Sequence, residues 1–181
     1  MNVFVVGTGR CGTTTFSKAC SHITNYTSGH ESHAGTIDFS YIHFPDQHIE
    51  VDPHLTWMLG LLIQKYPDAL FVHLFRNRND VVASWFRRGV DAHRGAAPLL
   101  DVMCQTNCQT MSRTTYRRAL GFLYDMVCAN IEGILRNATN SMSIRIDRAP
   151  NDFLAFWDRI GAEGNLVEAT AEFELRYNAT R

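Results

Sequence analysis

Arg10 lies in a run of glycines and threonines, Gly7-Thr8-Gly9-Arg10-Cys11-Gly12-Thr13-Thr14-Thr15, that ends where a helix can begin. Gly7, Gly9 and Gly12 let the chain turn sharply and bring backbone N–H groups close to an anion, while the threonines set hydroxyls at the head of the next helix. The partial positive charge of that helix end favours a phosphate. A guanidinium at position 10 can grip phosphate oxygens in a two-pronged fork.

The spacing Gly7-x-x-x-x-Gly12 matches the opening of a nucleotide-binding P-loop, but Thr13 stands where a Walker loop carries Lys followed by Ser or Thr. An ATPase or kinase built on this loop lacks its phosphate lysine. The cation is instead Arg10, two residues before Gly12.

A second segment, His73-Leu74-Phe75-Arg76-Asn77-Arg78-Asn79-Asp80-Val81-Val82-Ala83-Ser84, puts another arginine directly after an apolar run. With both segments in view, the chain resembles the sulfotransferases that use 3′-phosphoadenosine 5′-phosphosulfate (PAPS). Their first loop reads roughly P-[KR]-x-G-T-[ST] and their second R-[DN]-P-x-D-V-x-x-S. Here Gly9 to Thr14 corresponds to the first and Arg76 to Ser84 to the second; Gly9 and Arg78 stand where proline is usual, which predicts somewhat freer loops. The resemblance covers mainly residues 2–33 and 69–88, with a fainter echo at 143–162. It implies that Gly9, Arg10, Cys11, Gly12, Thr13, Thr14 and Thr15 hold the 5′-phosphosulfate, that Arg76 and Ser84 hold the 3′-phosphate, and that no metal is required. Without the resemblance, Arg76 is a solvated cation at a strand end and Ser84 a small helical residue.

Sulfuryl transfer to a hydroxyl also needs a base, and the loop supplies none. Ser28-Gly29-His30-Glu31-Ser32-His33 is similar to the G-x-E-x-H segment that follows the first helix in Golgi-type carbohydrate sulfotransferases, where the Glu is the base; Glu31 is the first expectation. Its rival is His54, because sulfotransferases of phenols and steroids use a histidine just after a later strand. Asp52-Pro53 also reads as a helix start, with Asp as cap and Pro at the first position, which makes His54 a first-turn residue with no chemistry. His30, His33, His43 and His48 crowd the same region without metal-ligand spacing, and most are expected to be solvated.

The elements that must position these groups follow from the apolar pattern. Val3-Phe4-Val5-Val6 is too short for a helix and rich in β-formers, so it reads as a parallel strand covered on both faces. The layout continues with helix 13–22, an irregular stretch 23–48, a short strand 49–51, helix 53–66, strand 69–75 and helix 79–88. A short helix flanked by 95–98 and 105–114, a long helix 113–136, a fourth strand 141–146 and a helix 150–160 complete it. In the last, Phe153, Leu154, Phe156, Trp157 and Ile160 are expected to face the core. The tail 172–181, with Arg176 and Arg181, is expected to fray. Strands alternating with helices predict an α/β protein, a P-loop-type three-layer α/β/α fold with a mostly parallel sheet and a single domain over 1–181. Arg76 then falls at the carboxyl end of its strand, where ligands of such sheets bind.

Seventeen Lys+Arg against eighteen Asp+Glu leave a net charge of −1, so no global basic field draws the chain to nucleic acid or an anionic membrane. Local clusters stand at Arg87-Arg88, Arg94 and Arg113/Arg117/Arg118; the last has helical spacing, fitting a solvated face or contact with an acidic acceptor. No apolar run approaches the ~20 residues of a membrane span, and a first strand at residue 3 leaves no room for a cleavable signal, so a cytoplasmic location is expected. Five cysteines without a C-x-x-C pair read as reduced thiols. Cys11 sits where a helix end and Arg10 would lower its pKa, although a small filler of the turn is the expected role. The N-x-Thr sequons at Asn25, Asn137 and Asn178 are chance in such a setting.

The expected function is sulfuryl transfer from PAPS to a hydroxyl of a carbohydrate or small-metabolite acceptor. A P-loop kinase and a non-catalytic nucleotide-binding protein are the alternatives. The sequence names neither the acceptor nor the oligomeric state.

Overall fold

Val3–Val6 (β1) is a strand with all four side chains buried, and it sits at the middle of a five-stranded sheet. The computed structural model describes residues 1–89, 96–175 and 177; the expectations for Arg94, Gly95, Arg176, Asn178 and Arg181 lie outside the described residues. The other strands are Thr27–His30 (β2), His48–Val51 (β3), Leu70–Phe75 (β4) and Ser141–Arg145 (β5), in the order β2-β3-β1-β4-β5. Every pairing is parallel, so all five carboxyl ends share one edge.

Alternation along the strands divides the core in two. Val3, Val5, Ile49, Val51, Val72 and Ile144 face Thr13–Cys20 (α1), Ala149–Ile160 (α6) and Leu166–Ala171 (α7). Phe4, Val6 and Phe71 face Leu59–Lys65 (α2), Arg78–Arg88 (α3), Ala96–Cys104 (α4) and Arg113–Leu135 (α5). The result is the expected three layers.

Three expectations are corrected. The stretch 23–48 is not irregular throughout: it holds β2 and a 3-10 turn at Phe39–Ile42. β2 has the sequence Thr-Ser-Gly-His and lies at the sheet edge, so it carries no apolar run to announce it; β3 recruits it by backbone pairing. In α6, Leu154 is 40% exposed while Phe153, Phe156, Trp157 and Ile160 are buried, because position 154 turns away from the face the others share. The 53–66 helix begins as a 3-10 turn, Pro53–Met58, before α2.

Candidate active site

The loop after β1 is shaped by left-handed backbone. Gly9, Arg10 and Gly12 have φ of +70°, +57° and +96°. Proline, with φ near −65°, cannot occupy position 9 in this geometry, so the glycine there is a requirement of the loop. Gly12 is confined further: a Cβ on it would lie 2.4 Å from Cγ1 of Ile146, which follows β5. Arg10 pays backbone strain as a non-glycine residue in this region, the kind of outlier that concentrates at functional sites.

The second segment closes on the first. The Arg10 Nε–H donates to Ser84 Oγ at 3.0 Å, although the residues are 74 positions apart, and Ser84 is buried. Arg76 leaves the carboxyl end of β4, its carbonyl held by the Tyr124 hydroxyl at 2.7 Å, and its guanidinium lies 3.7 Å from Asp80. Asn77 caps α3 by accepting from the Asn79 N–H. Arg78, in the usual proline position, is tied to Asp125 across to α5 rather than left loose.

Arg10, Arg76, Asp80 and Ser84 line a pocket of about 430 Å³ together with Gly12, Thr13, Thr14, Thr15 and Arg87. Burial holds the Arg10 guanidinium below its ordinary pKa, and Arg88, Arg76 and Arg87 push the same way. An anion of high charge relieves that crowding. Sequence reasoning missed Arg87 and Asp80, although Arg76, Asp80, Ser84 and Arg87 follow helical spacing. It also missed Asp147, Phe173, Leu175 and Tyr177, which line the same pocket. Phe173 packs on Phe16 and Phe153 and Tyr177 donates to Glu172, so the described part of the tail is tied down rather than frayed. Nothing in its local sequence marks that docking.

Cys11 is buried and its thiol is pushed up to about 11 by burial, so it is an inert filler as expected. Gly9 and Cys11 belong to the loop but not to the pocket lining.

The two candidate bases stand together on the other side of β1. Glu31 follows β2, also in the left-handed region at φ +52°, and His54 follows β3. Ligand atoms of Glu31, Asp52 and His54 all lie within 4.8 Å of one another, a grouping that could hold a metal ion. Asp52 is already engaged at both oxygens: Oδ1 takes the His54 backbone N–H at 2.7 Å and lies 3.0 Å from His54 Nδ1, while Oδ2 takes the Tyr41 hydroxyl at 2.9 Å. Burial pushes the Asp52 carboxyl up, but these hydrogen bonds outweigh it and leave the pKa below its ordinary value. The same bond to Asp52 raises the His54 imidazole above its ordinary value against the effect of burial. The cap reading of Asp52 and the first-turn reading of His54 are both correct locally, and a His–Asp pair is present as well.

The turn carrying His54 is tied to the phosphate loop, with the Thr56 hydroxyl donating to the Gly7 carbonyl at 3.1 Å. The turn carrying Glu31 rests on Glu50, a fully buried carboxylate on β3 that takes the Ser32 N–H at 2.9 Å and the Ser32 hydroxyl at 2.7 Å. Gly29 makes room for this: a Cβ there would lie 2.6 Å from Glu50 Oε2. The histidines expected to be solvated are mostly not. His48 is buried 2.9 Å from Glu50, His33 stacks on Phe44 at 4.6 Å, His30 is half-buried, and His43 is exposed. Strand pairing places His30 and His48 in the sheet, whereas His33 is held by its stacking on Phe44.

No family model matches the sequence, and no curated protein matches it. Among solved structures, mouse sulfotransferase SULT7A1 complexed with PAP superimposes with a TM-score of 0.57 at 16% identity, over 98% of this chain and 60% of that one. The chain therefore has the P-loop α/β fold of that sulfotransferase and spans 60% of its length. Among the described residues, no helix is long and apolar enough to cross a membrane.

Proposed function

We propose that this chain transfers a sulfuryl group from PAPS to a hydroxyl of a carbohydrate or small-metabolite acceptor. The observation that carries the reading is the hydrogen bond from Arg10 to Ser84, which brings the two segments with expected anion-binding roles together at one pocket. Convergent guanidiniums and a glycine-shaped helix start suit a nucleotide with phosphates at both ends, and the likeness to a sulfotransferase complexed with PAP supports the same nucleotide class.

PAPS supplies the sulfuryl group and, as leaving group, adenosine 3′,5′-bisphosphate. In this scheme Arg10 and the amides of Gly12 to Thr15 hold the 5′ end, Arg76 and Ser84 hold the 3′-phosphate, and Phe173 and Tyr177 flank the nucleoside. Arg10 neutralises charge on the oxygen released as the S–O bond breaks. The acceptor hydroxyl gives its proton to a base as its oxygen bonds to sulfur.

Two observations support His54 as that base. Asp52 orients the ring through Nδ1, leaving Nε2 to accept the proton, and Thr56 anchors the same turn to the phosphate loop. A second reading keeps Glu31, which shares the cluster and has a strained backbone of its own. The pH dependence of turnover in His54→Asn and Glu31→Gln separates them: loss of the titrating limb with His54 supports the first, its loss with Glu31 the second.

The test of the function is calorimetric titration with adenosine 3′,5′-bisphosphate, and in parallel with ATP and magnesium, in wild type and Arg76→Ala. Metal-independent binding of the bisphosphate that is lost in the variant supports the reading. Binding of ATP with magnesium and none of the bisphosphate overturns it in favour of a kinase.

A further inference from the structure

α3 is walled by cations on two faces. Asp80, Ser84 and Arg87 look into the nucleotide pocket, whereas Arg78, Asn79 and Phe86 line a separate groove of about 720 Å³ between α3 and α5. From α5 the groove receives Arg113, Arg117 and Arg118. Asp125 is the only carboxylate among its described lining residues, and Arg78 already holds it through two bonds of 2.7 and 2.8 Å. Gly121 makes that clamp possible, because a Cβ there would lie 2.5 Å from Arg78 Nη2.

Arg113 and Arg117 both lie over the Phe86 ring, at 5.1 and 5.9 Å from its centre. Two guanidiniums on one ring repel each other, and among the described lining residues the one carboxylate is already held by Arg78; an anion bridging the pair relieves that cost. The fork geometry of arginine suits sulfate and carboxylate oxygens. Phe122, 56% exposed, offers a flat apolar surface at the same groove, with Thr114 and Asn79 as hydrogen-bonding partners for hydroxyls.

We propose that this groove is an exosite for an acidic saccharide, with two or more sulfate or carboxylate groups on Arg113, Arg117 and Arg118 and a sugar ring against Phe122. Nucleic acid fits less well. The Phe86 face that a base would stack on is covered by guanidiniums. The proposal concerns binding alone and does not depend on the transfer reaction.

The test is fluorescence anisotropy of a labelled heparin-derived hexasaccharide with the full chain at low ionic strength, without nucleotide. Wild type is expected to bind, and Arg113→Gln/Arg117→Gln to weaken binding about tenfold or more, as loss of charge-assisted contacts requires. Phe122→Asp, which places a like charge against the ligand, is expected to weaken it as well. Arg76→Ala, in the nucleotide pocket, is expected to stay within about twofold of wild type. Arg113, Arg117 and Phe122 are exposed and Arg76 is half-buried, and thermal melts of the variants check that the fold is intact. The proposal is overturned by no binding in wild type, by undiminished binding in the folded double variant, by loss of binding in Arg76→Ala, or by tighter binding of a single-stranded RNA of equal charge.

Discussion

The proposed phosphate side and the proposed acceptor side of this sheet edge are built on different principles. After β1 and β4, the proposed anion site is made of glycine-shaped backbone, a helix start and arginines in short contiguous segments. After β2 and β3, the candidate chemistry comes from single side chains whose meaning depends on neighbours across the sheet: Glu31 on its Glu50-supported turn, His54 on Asp52, Asp52 on Tyr41. A phosphate cradle is a local conformation, whereas a general base is a relationship between residues. The first tolerates reading in one dimension and the second does not.

The sharpest way to break this contrast is to remove one group from each side and watch turnover and affinity separately. His54→Asn is expected to lower kcat about 10²–10⁴-fold, the usual contribution of a general base, while bisphosphate affinity by calorimetry stays at the wild-type value. Next in size, Arg76→Ala is expected to weaken bisphosphate binding about 10–100-fold, the worth of a charged hydrogen-bonding partner. An affinity loss in the first variant, or none in the second, removes the division of labour between the two sides.

A stability effect sharpens the comparison. Gly12→Ala forces a methyl into Ile146 and an L-residue into φ +96°, and is expected to cost about 1–3 kcal/mol, read as a lower chemical-denaturation midpoint. The smallest effect is a pH shift. Because Asp52 raises the His54 pKa, the rising limb of kcat against pH should have its midpoint above the ordinary histidine value of about 6.5. Asp52→Asn keeps a side chain able to cap the Pro53 turn but removes the charge, so the midpoint should move down toward that value. An unmoved midpoint would separate Asp52 from the titrating group.

Glu50 provides a second pH signature on the acceptor side. Burial pushes this carboxyl up, yet hydrogen bonds from His48 and Ser32 prevail and hold it below its ordinary value. A depressed folded-state pKa contributes stability above the unfolded carboxylate range and loses it as pH falls through the folded value. Denaturation midpoints measured across the acidic range should fall in wild type and fall less steeply in Glu50→Gln.

Much of this was legible in order along the chain. The run Val3 to Val6 declared a buried strand because both faces are apolar, Gly9 and Gly12 declared the loop because only they adopt its backbone at no cost, and α5 declared itself through a long periodic stripe. These signals act between residues a few positions apart. β2 escaped because a polar edge strand is defined by its partner, and Leu154 was misplaced because the limits of an apolar face depend on what packs against it.

What the sequence determined alone was therefore the strand-loop-helix with its glycine-shaped turn, the positions of the arginine and serine of the second segment, and the α/β alternation that puts both at one sheet edge. Only the tertiary structure decided that Arg10 meets Ser84, that Asp52 takes His54 and comes beside Glu31, that Arg87 and Phe173 complete the pocket, and that Arg113 and Arg117 share one aromatic ring. Backbone preference and hydrophobic period are carried by neighbours in sequence. Contacts between distant residues are set by strand order and helix packing, which no local window contains.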